Sequence, residues 1–153
     1  MSILSFSFQG INQSAAKFKG KTRQFDLTID EPIELGGTNQ YPNPVEYILA
    51  GYAGCLNVVA HIVAKELNIE LQKLEINVSG NLNPARLFGE DTDERAGFQR
   101  IQVHLKPQTT ATDIELLGWL QEIERRCPVG DNLQNQTPVS LQIEKQIFVT
   151  SLN

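Results

Sequence analysis

Apolar and polar residues alternate in several segments of the chain, and this pattern predicts strands. Two N-terminal segments, 2–8 and 22–30, alternate in the way that half-buried strands do. The polar stretch between them is bounded by glycines and predicts a turn or a short hairpin. Two later segments, 70–82 and 98–107, alternate again. A final alternating segment, 138–150, predicts a strand near the end of the chain.

The segment 43–67 predicts a long buried helix. Asn43 is suited to cap it, Pro44 suits the first helical position, and Glu46 lies where a capping-box side chain reaches back. Apolar residues cover most of the circumference of this helix. Such a helix needs cover on more sides than one small sheet provides, which favours a dimer.

A second helix is predicted to start at Thr112, where Glu115 completes a second capping box. Pro128 stops this helix just after Cys127, and the same proline can open a new turn. The segregated runs of strands and helices favour an α+β fold with an antiparallel sheet, formed as a single domain over residues 1–153.

Composition narrows the class of protein. A hydrophobic content of 41%, a charged content of 20% and a net charge of -5 indicate a soluble, mildly acidic protein without a nucleic-acid partner. The N-terminus lacks the cationic and apolar regions of a secretory signal. The apolar run 47–64 is short and interrupted, so we expect no membrane span and a cytoplasmic location.

The chain has two cysteines, Cys55 and Cys127. A reducing cytoplasm disfavours a structural disulfide, and two thiols are too few for a zinc site, so the sequence predicts neither a metal nor a cofactor. Two interpretations remain open, in which the cysteines are either core residues or a redox pair.

The neighbours of each cysteine bear on its reactivity. Cys55 lies about three turns inside its helix, beyond the effect of the helix end, and His61 faces another direction. Cys127 follows Arg125 and Arg126 and would cap the new turn, where a thiolate is favoured. Alternatively, the two arginines form a solvated helix end. The residues alone leave the chemistry undecided.

Two motifs resemble those of a known family. NPVEYILAGYAGC, residues 43–55, and CPVGDNLQNQTPVSLQI, residues 127–143, are similar to the cysteine motifs of the osmotically inducible protein C and organic hydroperoxide resistance (OsmC/Ohr) superfamily. Residues 80–107 resemble its OsmC-like branch. The resemblance implies an OsmC-like fold, in which antiparallel sheets wrap around central buried helices in an intertwined homodimer.

The resemblance also implies a chemistry used in oxidative or osmotic stress defence. Cys55 would attack an organic hydroperoxide and become a sulfenic acid, and Cys127 would then form a disulfide with it. A dithiol reductant would restore both thiols, without any cofactor. The apolar part of the hydroperoxide, or of another small ligand, would lie against Ile48, Tyr52 and Leu56.

The chain departs from the best-known peroxidases of this family in two places. Those proteins carry a glutamate directly after the Asn-Pro, where this chain has Val45 followed by Glu46. They also supply an arginine from an N-terminal loop, for which Lys17, Lys19 or Arg23 could substitute here. These departures favour an alternative, a redox-responsive or small-molecule-binding protein with little peroxidase turnover.

Overall fold

The computed structural model of the protein describes residues 3–145. Over these residues the fold is α+β, as the sequence predicts, with two small antiparallel sheets and three α-helices. The elements are, in chain order, β1 Gln9–Asn12, β2 Phe18–Thr22, β3 Phe25–Ile29, α1 Pro44–Glu66, β4 Lys73–Asn81, β5 Arg100–Gln108, α2 Asp113–Arg126 and α3 Pro128–Gln134. A short 3-10 turn, Ile33–Leu35, lies between β3 and α1.

The N-terminal sheet has the order β1-β2-β3, and the predicted hairpin between the first two strand segments is confirmed. The prediction of a strand at 2–8 is wrong over the described residues 3–8, because pairing begins only at Gln9. Gln9 lies opposite Lys21, next to the end of β2, so the residues before it extend past the strand that could pair with them.

Helix α1 begins and ends within one residue of the prediction. Its capping box is present, because Asn43 Oδ1 accepts from the Glu46 N–H at 2.9 Å and Glu46 Oε2 accepts from the Asn43 N–H at 2.8 Å. The helix is long and apolar enough to cross a membrane, a test that core helices of soluble proteins also pass. Val58 and Ile62 lie on a face of α1 that the single chain leaves exposed.

The core lies between α1, α2 and the hairpin of β4 and β5. Alternate residues of both strands are half-buried against the helices, as the sequence pattern predicts. Trp119 of α2 is buried, and its Nε1–H donates to the Ala60 carbonyl of α1 at 2.8 Å. The fully buried Ile123 lies one turn further along α2. These contacts fix where the end of α2 meets α1.

The loop between β3 and α1 is organised by a buried carboxylate. Asp30 accepts hydrogen bonds from the Thr38 hydroxyl at 2.6 Å and from the N–H groups of Thr38 and Gln40, both at 3.1 Å. Lys17 Nζ lies 3.7 Å from the same carboxylate. Burial opposes the ionisation of Asp30, but the hydrogen bonds prevail and hold its pKa well below its usual range. These hydrogen bonds hold the loop in the conformation that leads into α1.

The C-terminal segment does not form the strand predicted at 138–150 over the residues that the structure describes. Residues 138–145 have no regular secondary structure, and the remainder of the predicted strand lies outside the described residues. Val139, Leu141 and Ile143 are 81%, 93% and 99% exposed. The alternation is present, but within residues 3–145 no neighbouring strand pairs with this segment.

Candidate functional site

The two cysteines, distant in sequence, meet in the folded chain. The Sγ atoms of Cys127 and Cys55 are 3.2 Å apart, and both residues are free thiols. A disulfide has a sulfur–sulfur distance of about 2.05 Å, so an approach of roughly 1 Å would bond the two sulfurs. Cys55 is partly exposed on α1, whereas Cys127 is 2% exposed.

Cys127 is positioned by the junction of α2 and α3. Pro128 ends α2 and begins α3, which confirms the prediction of a new turn capped by Cys127. The Cys127 sulfur accepts a hydrogen bond from the Gly130 N–H at 3.4 Å. A side chain at position 130 would meet Tyr52, because a Cβ built on Gly130 lies 3.2 Å from the Tyr52 ring. Sequence reasoning did not single out Gly130, although its place three residues after a capping residue is a usable signal.

The environment of Cys127 favours the protonated thiol. Burial raises the pKa of Cys127, the Gly130 N–H acts in the opposite direction, and the contact with Cys55 raises the pKa further. The S–H of Cys127 therefore donates to the Cys55 sulfur. This outcome differs from the prediction that the cap of a new turn would favour a Cys127 thiolate.

The arginines before Cys127 are engaged in ion pairs with carboxylates. Arg125 Nη2 lies 2.7 Å from Glu122 of its own helix. Arg126 makes a two-pronged contact with Glu66, in which Nη2 lies 3.0 Å from Oε1. Arg126 thus ties the end of α2 to the end of α1. The structure agrees with the alternative in which the arginines form the charged surface of a helix end.

An opening of about 890 Å³ leads to Cys55. Gly51 and Gly54 form part of its wall, and a Cβ built on either glycine has no neighbour within 4 Å. The other lining residues are Phe6, Arg23, Val58, Val59, Ile62, Arg126 and Pro128. The absence of side chains on the two glycines leaves this side of Cys55 open to a small molecule.

The basic and acidic residues suggested as supports for Cys55 lie in different places. Arg23 lines the Cys55 opening, at a positive φ of 52°, with its guanidinium 4.9 Å from the centre of the Phe25 ring. Lys17 is held by Asp30, and Lys19 lies on β2. Glu46 is used in the capping box of α1. Of this group, the structure brings only Arg23 to the opening.

The three residues suggested as a substrate pocket do not line the same cavity. Tyr52 and Leu56 line a second cavity of about 570 Å³, between α1, α2, α3 and β5. Ile48 lies on an exposed part of α1. Burial, followed by the nearby Cys127, Glu124 and Cys55, raises the pKa of Tyr52, which favours the neutral phenol.

His61 takes no part in the site, as its position in the helix predicts. Its side chain is exposed, and its Nδ1 lies 2.8 Å from the Asn57 carbonyl. Over the described part of the chain, no three histidine, cysteine or acidic side chains converge in a group that could hold a metal ion.

Comparison with known proteins supports the resemblance seen in the motifs. The chain is 25% identical to a hydroperoxide reductase of Mycoplasma pneumoniae over 122 residues, which cover 78% of this chain and 80% of that protein. A structure of an OsmC-like protein from the same organism superposes with a TM-score of 0.74 at 22% identity, covering 86% of this chain and 88% of that one.

A more distant structure has the same fold. It is an organic hydroperoxide resistance protein from Legionella pneumophila, with a TM-score of 0.63 and 21% identity, covering 88% of this chain and 92% of that one. The model of the family described as OsmC-like protein matches residues 37–142, a range that contains both cysteines. The chain therefore belongs to the OsmC-like protein family.

Proposed function

We propose that the protein is a thiol-dependent peroxidase that reduces organic hydroperoxides through Cys55 and Cys127. The observation that carries this proposal is the 3.2 Å separation of the two sulfurs, one accessible and one buried. Relatives named hydroperoxide reductase support the same reaction class. A pair of thiols in contact, with only one open to small molecules, suits oxidation followed by disulfide formation.

The first step oxidises Cys55. Its thiolate attacks the terminal oxygen of a hydroperoxide ROOH, the O–O bond breaks, and the sulfur becomes a sulfenic acid. The leaving alkoxide takes a proton from water and departs as the alcohol ROH. The peroxide can approach through the opening beside Gly51 and Gly54, because neither glycine places a side chain there.

The second step joins the two sulfurs. Cys127 attacks the sulfur of the Cys55 sulfenic acid, its proton leaves with the displaced hydroxide as water, and a disulfide forms. An external dithiol then reduces this disulfide and is itself oxidised. The sulfurs start 3.2 Å apart and need to approach by only about 1 Å to reach bonding distance.

The organic group of the substrate has two possible places. The first is the second cavity, which Tyr52 and Leu56 line. The family resemblance implies this place, with Ile48 as a further contact. The Cys55 opening offers Val58 and Ile62 instead. Tyr52→Ala and Ile62→Ala each remove an apolar contact from one of the two places, and their effects on KM distinguish them.

The test of the proposed function is the variant Cys55→Ser. Consumption of an organic hydroperoxide with a dithiol donor should fall to the uncatalysed rate, because serine cannot form a sulfenic acid. Cys127→Ser is the matched variant, since it leaves Cys55 able to react once with the peroxide. Equal turnover by the wild type and Cys55→Ser would show that the proposal is wrong.

A second candidate function is that of a redox-responsive or small-molecule-binding protein with little turnover. It is favoured by Val45 at the usual glutamate position and by the use of Glu46 and Lys17 in structural contacts. It predicts that hydroperoxide yields the Cys55–Cys127 disulfide while a dithiol supports no sustained consumption. Sustained turnover contradicts it.

We also propose that the protein acts as a homodimer in the cytoplasm. Val58 and Ile62 expose an apolar face of α1, and Val139 and Leu141 expose another apolar stripe. A second copy of the chain packed beside the Cys55 opening would cover part of these surfaces and form part of the wall of that opening, which Val58 and Ile62 also line. Sedimentation equilibrium tests this assembly, and a monomer at micromolar concentration contradicts it.

A further inference from the structure

A Cys55 thiolate is favoured by any group that stabilises its charge. Within the described structure Lys17 and Arg126 are paired with carboxylates, whereas Arg23 lies over the ring of Phe25 and lines the Cys55 opening. The helix end is also too far from Cys55 to contribute, because that effect fades within the first turn. Among the described residues, the side-chain hydrogen bond made to the Cys55 sulfur comes from Cys127 and not from a cation.

The structure shows a hydrogen bond to that sulfur from a thiol. The S–H of Cys127 donates to Cys55 Sγ at 3.2 Å. A thiol is a weak donor to a neutral acceptor, but a hydrogen bond to an ionised acceptor is about twice as strong. Cys127 is buried and Cys55 is partly exposed, so water can help to solvate a charge on Cys55 only. The proton of the pair therefore belongs on Cys127.

The second contact of Cys127 fixes the direction of this donor. Its sulfur accepts from the Gly130 N–H at 3.4 Å, which engages one side of the sulfur. The ring of Tyr52 packs beside Gly130 and limits the movement of the α3 start. Because the Gly130 N–H engages one side of the Cys127 sulfur, the S–H bond of Cys127 points at Cys55.

We propose that the reduced Cys127 thiol stabilises the Cys55 thiolate, so that Cys127 acts before the oxidation step as well as after it. This role rests on the proposed peroxidase function and gives the Cys55 sulfur a hydrogen-bond donor in addition to the charge of Arg23 at the opening. The same proton serves twice. It first bonds to the Cys55 thiolate, and it then leaves with hydroxide as water when the sulfur–sulfur bond replaces the S–O bond.

The experiment measures the alkylation rate of Cys55 by iodoacetamide at pH 7, followed by mass spectrometry of the Cys55 peptide. Cys127→Ser keeps a hydrogen-bond donor and should leave the rate within about twofold of the wild type. Cys127→Ala removes the donor and should slow alkylation by roughly tenfold. A merely structural role for Cys127 does not predict rescue by serine.

Equal alkylation rates in the serine and alanine variants, or a faster rate in alanine, would overturn the proposal. If Cys127→Ala does not fold, Cys127→Thr and Cys127→Val repeat the comparison with more similar volumes, and the same two outcomes decide it. The assay contains no peroxide, so it is independent of turnover. A wild type without peroxidase activity contradicts the proposed function while leaving the alkylation result intact.

Discussion

Cys55 and Cys127 are the same chemical group in two different surroundings. Cys55 lies in the middle of a helix, on a face where Gly51 and Gly54 leave open space. Cys127 lies at the buried junction of two helices, with its sulfur held by the Gly130 N–H. In the proposed mechanism, access and hydrogen bonding, rather than residue type, decide which thiol meets the substrate first.

The largest expected effect is a difference in labelling between the two thiols. In the reduced native protein, iodoacetamide should modify Cys55 on the order of 100-fold faster than Cys127, because Cys127 reacts only when the helix junction opens locally. Peptide mass spectrometry over a time course measures both rates. In urea the two rates should converge. Comparable rates in the native protein contradict the contrast between the two sites.

A smaller effect is expected from closing the open side of Cys55. Gly54→Leu places a side chain in the empty space and should slow the reaction of Cys55 with a bulky hydroperoxide about tenfold. Gly118→Leu is the matched control, since a Cβ there also has no neighbour within 4 Å but lies on α2. Both changes should improve helix propensity, by roughly 1 kcal/mol.

The outcome at position 54 is read from stopped-flow rates, with circular dichroism to establish that both variants are folded. A Gly54→Leu variant that reacts as fast as Gly118→Leu shows that substrate approaches Cys55 from another side. Cys55 would then be reached through an entrance other than the opening beside Gly51 and Gly54.

Acid should weaken the loop that leads into α1. The pKa of Asp30 is lower in the folded chain than its ordinary value of 3.8. The ionised carboxylate therefore stabilises the fold above about pH 4, and this contribution is lost as the pH falls further, towards the folded pKa.

Urea unfolding between pH 5 and pH 2 measures this contribution. Asp30→Asn should be less stable than the wild type at pH 7, and the difference between the two should shrink as the pH falls below 3.8. The subtraction cancels the other carboxylates that titrate over this range. A difference that does not change with pH contradicts the role of the ionised Asp30.

Local signals in the sequence were sufficient for the helices. The capping residues Asn43 and Thr112 and the proline at 128 mark helix ends whose hydrogen bonds are made by near neighbours. The strands predicted at 2–8 and 138–150 are absent over the described residues 3–8 and 138–145. An alternating pattern shows that a segment suits a strand, but the partner strand is a property of the fold.

The sequence alone identified Cys55 and Cys127 as the two candidate residues. Only the family resemblance implied that they act together. The sulfur separation depends on how α2 crosses α1, which Trp119 and Ile123 fix through contacts distant in sequence. The direction of the hydrogen bond depends on the burial of Cys127, which no local pattern reveals. The pairing of Lys17 with Asp30 is equally non-local.

The most direct test of the account is a single-turnover oxidation. One equivalent of an organic hydroperoxide should convert the reduced wild type to a protein with a Cys55–Cys127 disulfide, seen by mass spectrometry of the unreduced peptides. Cys127→Ser should stop at a Cys55 sulfenic acid that dimedone traps. A wild type that remains fully reduced, or that is oxidised first at Cys127, would contradict the proposed mechanism.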